Sequence, residues 1–427
     1  MRELSVVIRG GRIVDSTGER RADVLIQDGV VTAVEPTIEP LGGATVLDAG
    51  GCVVAPGLVD LHAHLRQPGF EQAETVETGA RGAALGGYTT VVAMPNTEPA
   101  IDRAAVVREV LELAARAMCD VRPAGAITKG RRGEELAPMA EMAALGVQLF
   151  TDDGRGVQDP RLMRRALEYA SALGVTLAQH CEDERLAAGG QMHEGEWSSR
   201  LGLPGAPAEA EELMVARDIA LARLTGGRVH FQHLSTAGSV ALVRSAKAEG
   251  GVSVTAEATP HHLALTDALV ASYDTVFKVN PPLRSRADVE AVKLGLADGT
   301  IDAIATDHAP HAQEAKEQPF DQAPPGMLGL ETALAVALTE LDLPIEHVLA
   351  LLSWQPARIA RVDTGPIAEG RIADLCVIDP EAVWLVAPER MASLSRNSPY
   401  AGRKLTGRVR HTIFRGEPVV ADGEAQR

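Results

Sequence analysis

Positive charge is scarce in this chain: 41 lysines and arginines stand against 58 aspartates and glutamates, a formal net charge of −17 over 427 residues. With no basic excess to offset phosphate repulsion, neither nucleic acid nor an anionic membrane is an expected partner. Cysteine is rare as well. Cys52, Cys119, Cys181 and Cys376 are scattered without CxxC spacing, which predicts reduced thiols and a cytoplasmic location rather than a disulfide framework. No apolar run reaches the length of a membrane span, and the N-terminus carries no apolar signal core. Aromatic residues make up only 3% of the chain although hydrophobic residues reach 45%. The core must therefore be built from Ala, Val, Leu and Ile, as helix-on-sheet layers are. The length suits one large barrel with an accessory unit.

The first 55 residues run in short apolar stretches broken by glycine, such as Leu4 to Val14 and Asp23 to Val31. Both read as hairpins. The same texture returns from about Gly365, in Ala373 to Asp379 and Val409 to Gly416. A small β-sandwich domain built from residues 1–55 and 365–427 is expected, flanking a central block over 56–364. Within that block strand-like runs alternate with helical ones, the pattern of a parallel sheet with crossover helices. Eight strands are predicted, at Gly57–His62, Tyr88–Met94, Val121–Ile127, Val147–Phe150, Thr176–His180, Arg228–His233, Val252–Ala256 and Ile301–Thr306. Eight closes a TIM-like (β/α)8 barrel, so the fold class is α/β. One helix is expected to start at Asp102 as N-cap, with Val106, Val110 and Leu113 on its buried face.

Candidate ligands sit at the C-terminal ends of five of these strands: His62 and His64, then Asp153, His180, His233 and Asp307. Barrel enzymes keep their chemistry at that face. Taken singly, each has an ordinary explanation: His180 as a core histidine, Asp153-Gly154 as a turn. Together they form a coherent set. Four imidazoles and two carboxylates suffice for two divalent ions and a hydroxide ready at neutral pH. His230 is a rival to His233, but alternation along a strand places the two on opposite faces. Cys181 follows His180 and reads as a packed small residue.

The motifs Ala55-Pro56-Gly57-Leu58-Val59-Asp60-Leu61-His62-Ala63-His64-Leu65-Arg66, Ala93-Met94-Pro95-Asn96-Thr97 and Phe150-Thr151-Asp152-Asp153-Gly154 are followed by three more. These are Thr259-Pro260-His261-His262-Leu263, Asn280-Pro281-Pro282-Leu283-Arg284 and Ala305-Thr306-Asp307-His308-Ala309-Pro310-His311. In order and spacing the chain resembles, nearly end to end, the class I (long bacterial) dihydroorotases of the amidohydrolase superfamily. The resemblance implies zinc as cofactor, one or two ions per subunit with two expected. It carries His62, His64 and Asp307 to one ion, His180 and His233 to the second, and Asp153 to the bridge. Many superfamily members bridge with a carboxylated lysine, yet Lys129 is the only lysine between His64 and His233 and follows the third strand rather than the fourth. Asp153 is preferred to the adjacent Asp152 by the same analogy.

The implied reaction is the reversible cyclisation of N-carbamoyl-L-aspartate to (S)-dihydroorotate in pyrimidine biosynthesis. Activated hydroxide would attack the ring carbonyl, with Asp307 as general acid and base. Arg66 is placed to grip the substrate carboxylate with a bidentate fork. Asn96, Asn280, His311 and the loop Pro325-Gly326-Met327-Leu328-Gly329 complete the expected substrate contacts, the loop through its backbone amides. His261, His262 and His308 are candidates equally for outer supports and for direct participation. Two other readings compete. Dihydropyrimidinases, hydantoinases and allantoinases open related rings but usually carry the lysine bridge and need no carboxylate-binding arginine. A silent scaffold for aspartate transcarbamoylase would have lost metal histidines, whereas all six expected ligands are present. A homo-oligomer is expected, and a complex with aspartate transcarbamoylase stays open even for an active enzyme.

Overall fold

The computed structural model describes residues 5–40 and 42–427; Leu4, at the head of the first predicted hairpin, lies outside them. Eight parallel strands form the central barrel: β1 (Leu58–Ala63), β2 (Tyr88–Ala93), β3 (Asp120–Pro123), β4 (Leu149–Phe150), β5 (Thr176–Gln179), β6 (Arg228–Phe231), β7 (Ser253–Ala258) and β8 (Ala303–Ile304). Each falls on a predicted strand. Pairing runs β3-β2-β1 and β4-β5-β6-β7-β8, and single parallel bridges, Gly125 to Phe150 and Ala63 to His308, close the ring. Asp60 ties the last seam: its carboxylate accepts from the Thr306 amide at 2.8 Å and the Thr306 hydroxyl at 2.5 Å. The low aromatic content shows in what fills the barrel, where Leu61, Val92, Leu149, Ala178, Ala303 and Ala305 form one buried cluster.

The crossover helices follow local rules. Helix Pro160–Leu173 begins with Asp159 accepting from the Leu162 amide at 2.8 Å and ends at Gly174 with φ 68°. That cap contributes about 1 kcal/mol, and glycine enters the left-handed region without a Cβ clash. Met163, Ala166, Leu167 and Ala170 are its buried stripe, the 3.6-residue period that turns one face to the sheet. The helix expected from Asp102 instead spans Ala104–Ala114 with Arg103 at its N-cap. Asp102 turns its carboxylate to the Gly130 amide, 2.8 Å away, a longer-range use of the same capping chemistry. Val106, Val107 and Val110 are buried, while Leu113 is 39% exposed, so the helix buries one turn less than the pattern suggested.

Both ends of the chain contribute to the flanking sheets. A seven-stranded sheet runs Glu424–Ala425, Glu417–Ala421, Lys404–Phe414, Leu375–Leu385, Val53–Pro56, Arg12–Asp15 and Gly18–Arg21. A four-stranded sheet holds Val30–Glu35, Asp23–Gln27, Ser5–Arg9 and Thr45–Asp48. Val6, Ile8, Val24 and Ile26 of one meet Ile13, Val54, Leu375 and Val377 of the other in a single buried cluster, a β-sandwich. The Asp23 to Val31 segment is the expected hairpin. The stretch Ser5–Val14 is not, because Ser5–Arg9 and Arg12–Asp15 belong to different sheets. The chain crosses between them at Gly10 and Gly11, where a Cβ on Gly11 would stand 2.5 Å from a Val54 methyl.

Candidate metal and active site

The first strand delivers His62 from inside β1 and His64 just beyond it, both buried. Asp153 follows β4, His180 follows β5, His233 lies two residues past β6, and Asp307 lies past β8. All six converge. Asp153 occupies the centre: Oδ1 is 3.3 Å from His62 Nε2, 3.5 Å from His180 Nδ1 and 3.7 Å from His233 Nε2, while Oδ2 is 3.5 Å from His64 Nε2. Asp307 Oδ1 lies 3.0 Å from His64 Nε2 and 3.4 Å from His62 Nε2. His180 Nδ1 faces His233 Nε2 at 2.9 Å. Two donor groups of metal-binding dimensions result, His62-His64-Asp153 and Asp153-His180-His233, joined at the aspartate.

The backbone bends sharply to deliver three of the predicted site residues. Arg66, His233 and Asp307 have φ of 61°, 34° and 44°, each a left-handed conformation costing on the order of 1–3 kcal/mol for a residue with a Cβ. Tertiary contacts elsewhere must hold these turns.

The residues fit cations. His62 Nε2, which faces Asp153 and Asp307, is a buried ring nitrogen without a hydrogen-bond partner among the described residues, a state that costs free energy unless something else is bound. Burial opposes a charged His62, yet the Asp153 and Asp307 charges outweigh it and raise its pKa well above the usual value. Burial likewise pushes the two carboxyls up, and the surrounding histidines, His62 foremost, reverse this and hold both below the usual range. The site demands positive charge between these groups, which divalent ions supply.

Asp152 points elsewhere, accepting from the Ile127 and Thr128 amides at 2.9 and 3.0 Å. Lys129 pairs with Glu135 at 2.6 Å on the surface, so it stands outside the site. Cys181 is a buried thiol packed among apolar side chains, its pKa pushed up by burial.

Above the ligands lies a polar wall. Asn96 accepts from His64 Nδ1 at 2.8 Å and donates to Asp153 Oδ2 at 3.3 Å, leaving one amide hydrogen free. Arg66 donates from Nε to the Pro310 carbonyl at 3.0 Å and brings Nη2 to 3.4 Å from His311 Nε2. His311 Nε2 donates to the Pro325 carbonyl at 2.8 Å, and burial together with the Arg66 charge lowers its pKa to about 3. Gly326 donates its amide to the Lys278 carbonyl at 2.9 Å, and Pro325 has no N–H. In this conformation these two positions of the loop offer no free amide. Asn280 is exposed, two residues from Lys278.

His261 and His262 are buried beside one another, with ring centroids 4.5 Å apart. His262 bridges Thr259 Oγ1 and the Pro281 carbonyl at 2.8 and 3.0 Å. His308 lies 3.4 Å from Glu74.

Two site residues escaped the sequence reading. Glu257 on β7 is fully buried, with Oε1 at 2.9 Å from His62 Nδ1 and Oε2 at 2.9 Å from His230 Nε2. Gln232 lies 3.2 Å from His62 Nδ1 and accepts from Thr151 at 2.7 Å. His230 is therefore not turned away from the site but linked to it through Glu257. Alternation along β6 does not extend to His233, which lies beyond the strand at a residue whose φ of 34° breaks it. A lone glutamate in the apolar run Ser253–Ala258 was the available signal.

A barrel whose strand ends deliver imidazoles and carboxylates to one buried point, with a sandwich made from both termini, defines an amidohydrolase-class enzyme. L-hydantoinase (dihydropyrimidinase) from Arthrobacter aurescens superposes with a TM-score of 0.88 at 27% identity, covering 99% of this chain and 97% of its own. The family described as dihydro-orotase-like matches residues 51–239. The dihydroorotase of Pelotomaculum thermopropionicum is 50% identical, covering 98% of this chain and 99% of its own. That of Anaeromyxobacter dehalogenans strain 2CP-C is 51% identical with the same coverage. The chain belongs to the dihydroorotase family.

Proposed function

We propose that the protein is a zinc-dependent dihydroorotase that interconverts N-carbamoyl-L-aspartate and (S)-dihydroorotate in pyrimidine biosynthesis. The observation that carries this reading is the pairing of two donor groups sharing Asp153 with an arginine, Arg66, held beside them. In this reading residues 56–364 form the catalytic barrel, and 1–55 with 365–427 the small domain.

His62, His64 and Asp307 would hold one ion, His180 and His233 a second, with Asp153 between them. Bound divalent cations supply an activated water and polarise the scissile carbonyl. In the hydrolytic direction the water oxygen bonds to the ring carbonyl carbon, the C–N bond breaks, and Asp307 carries the water proton from Oδ1 to the departing nitrogen. Closure runs the same steps backwards. Arg66 grips the substrate carboxylate, Asn96 offers its remaining amide hydrogen, and His311 stands neutral beside them. Asn280 and the Pro325-Gly326 loop line the outer side of the ring.

The test is turnover of carbamoyl aspartate before and after chelation, with zinc and cobalt add-back, alongside dihydrouracil and hydantoin as substrates. Activity on carbamoyl aspartate that is lost to chelator and restored by metal is expected. Preference for the carboxylate-free rings would overturn the reading. It extends to a homo-oligomeric cytoplasmic enzyme, checked by light scattering of the purified protein, and to a complex with aspartate transcarbamoylase, checked by co-sedimentation. No helix among the described residues is long and apolar enough to cross a membrane.

A further inference from the structure

We infer that Asn397, which lies in the C-terminal segment outside the barrel, is a positioning residue for substrate binding: it fixes the strip Ala309–His311 against the loop at Gly326. The inference rests on the reading of Arg66 and His311 as substrate contacts.

Asn397 is 7% exposed, and its side chain is fully engaged. Oδ1 accepts from the His311 amide at 3.2 Å, while Nδ2 donates to the Ala309 carbonyl at 3.0 Å and the Gly326 carbonyl at 3.1 Å. Its own carbonyl accepts from the Leu328 amide at 3.1 Å. Among side chains of this size only a neutral amide accepts one bond and donates two. Both proposed substrate groups bear on the strip it holds. Arg66 docks on the Pro310 carbonyl at 3.0 Å, and the His311 ring docks on the Pro325 carbonyl at 2.8 Å. Gly326 makes that docking close, since a Cβ there would stand 2.7 Å from His311 Nε2.

The segment bearing Asn397 is itself anchored to the barrel. Ser393 donates to the buried Glu74 carboxylate, Leu394 donates its amide to Glu74 Oε1 at 3.2 Å, and Ser395 donates to the Ala73 carbonyl at 2.7 Å. A rigid arm from the C-terminal part of the chain thus sets the geometry of two groups on the barrel mouth.

The experiment compares wild type with Asn397→Ala and the isosteric Asn397→Asp, which keeps the acceptor for His311 but turns an oxygen toward two carbonyls. KM for carbamoyl aspartate should rise roughly tenfold or more in Asn397→Ala and further in Asn397→Asp, with kcat changed less than about threefold and metal content unchanged. Hydrogen exchange should quicken across 309–328 in both variants while the barrel strands stay protected. KM within twofold of wild type in both, a loss confined to kcat, or unchanged exchange over 309–328 would each overturn the inference. If wild type fails to turn over carbamoyl aspartate, the functional reading falls, and the exchange comparison still decides whether Asn397 orders the strip.

Discussion

Glu257 holds His62 from below: its Oε1 lies 2.9 Å from His62 Nδ1, and its second oxygen is equally close to His230 Nε2. Burial would push this carboxyl up, but the hydrogen bond and charge of His230, followed by those of His62, bring it down to about 2. An ionised carboxylate accepts from both rings. Proton-bearing Nδ1 then leaves the lone pair of His62 on Nε2, aimed at Asp153 and Asp307.

Glu257→Gln should therefore weaken metal binding roughly 10- to 100-fold, the range for outer partners of ligating histidines. An amide can accept from one ring only and must donate toward the other. Competition with a chelator of known affinity measures it, and wild-type affinity would show that His62 keeps its tautomer without Glu257.

Asp307→Asn keeps the size of the side chain and removes its capacity to carry a proton. Turnover should fall by about 10² to 10⁴ in both directions, the usual contribution of a general acid or base. Rates near wild type in either direction would exclude the proton-carrying role.

Arg66→Met should lower kcat/KM for carbamoyl aspartate about a hundredfold, since charged hydrogen bonds contribute about 1.5–3 kcal/mol each. Metal content should be unchanged because Arg66 contacts the Pro310 carbonyl rather than a ligand. Loss of metal in this variant, read by elemental analysis, would reassign Arg66 to the metal site.

His311 has a definite pH signature. Its pKa is lowered to about 3, so the neutral form is favoured and protonation waits until pH falls through that value, far below the ordinary value of about 6.5. Between pH 5 and 9 the imidazole stays neutral. The KM profile of wild type should carry no inflection near pH 6.5 that disappears in His311→Ala; finding one would mean the ring titrates within the working range.

The barrel was legible because burial on both faces leaves β-branched and small apolar runs at regular spacing, and polar residues stand out where those runs end. His62, His64, Asp153, His180, His233 and Asp307 were visible on that ground. Local rules misled where tertiary partners outbid them. Asp102 caps the Gly130 amide rather than its own helix, and Gly10-Gly11 joins two sheets rather than two arms of a hairpin.

The sequence alone determined the class of architecture and which imidazoles and carboxylates stand at the strand ends, because alternation and residue chemistry are local properties read directly from the order of side chains. Only the tertiary structure decided which groups support them. Glu257 reaches His62 across 195 positions, and Asn397 reaches His311 across 86. Contacts over such separations depend on how the ring closes and where the C-terminal arm lands, and no periodicity in the chain encodes a distance between residues that meet only after folding.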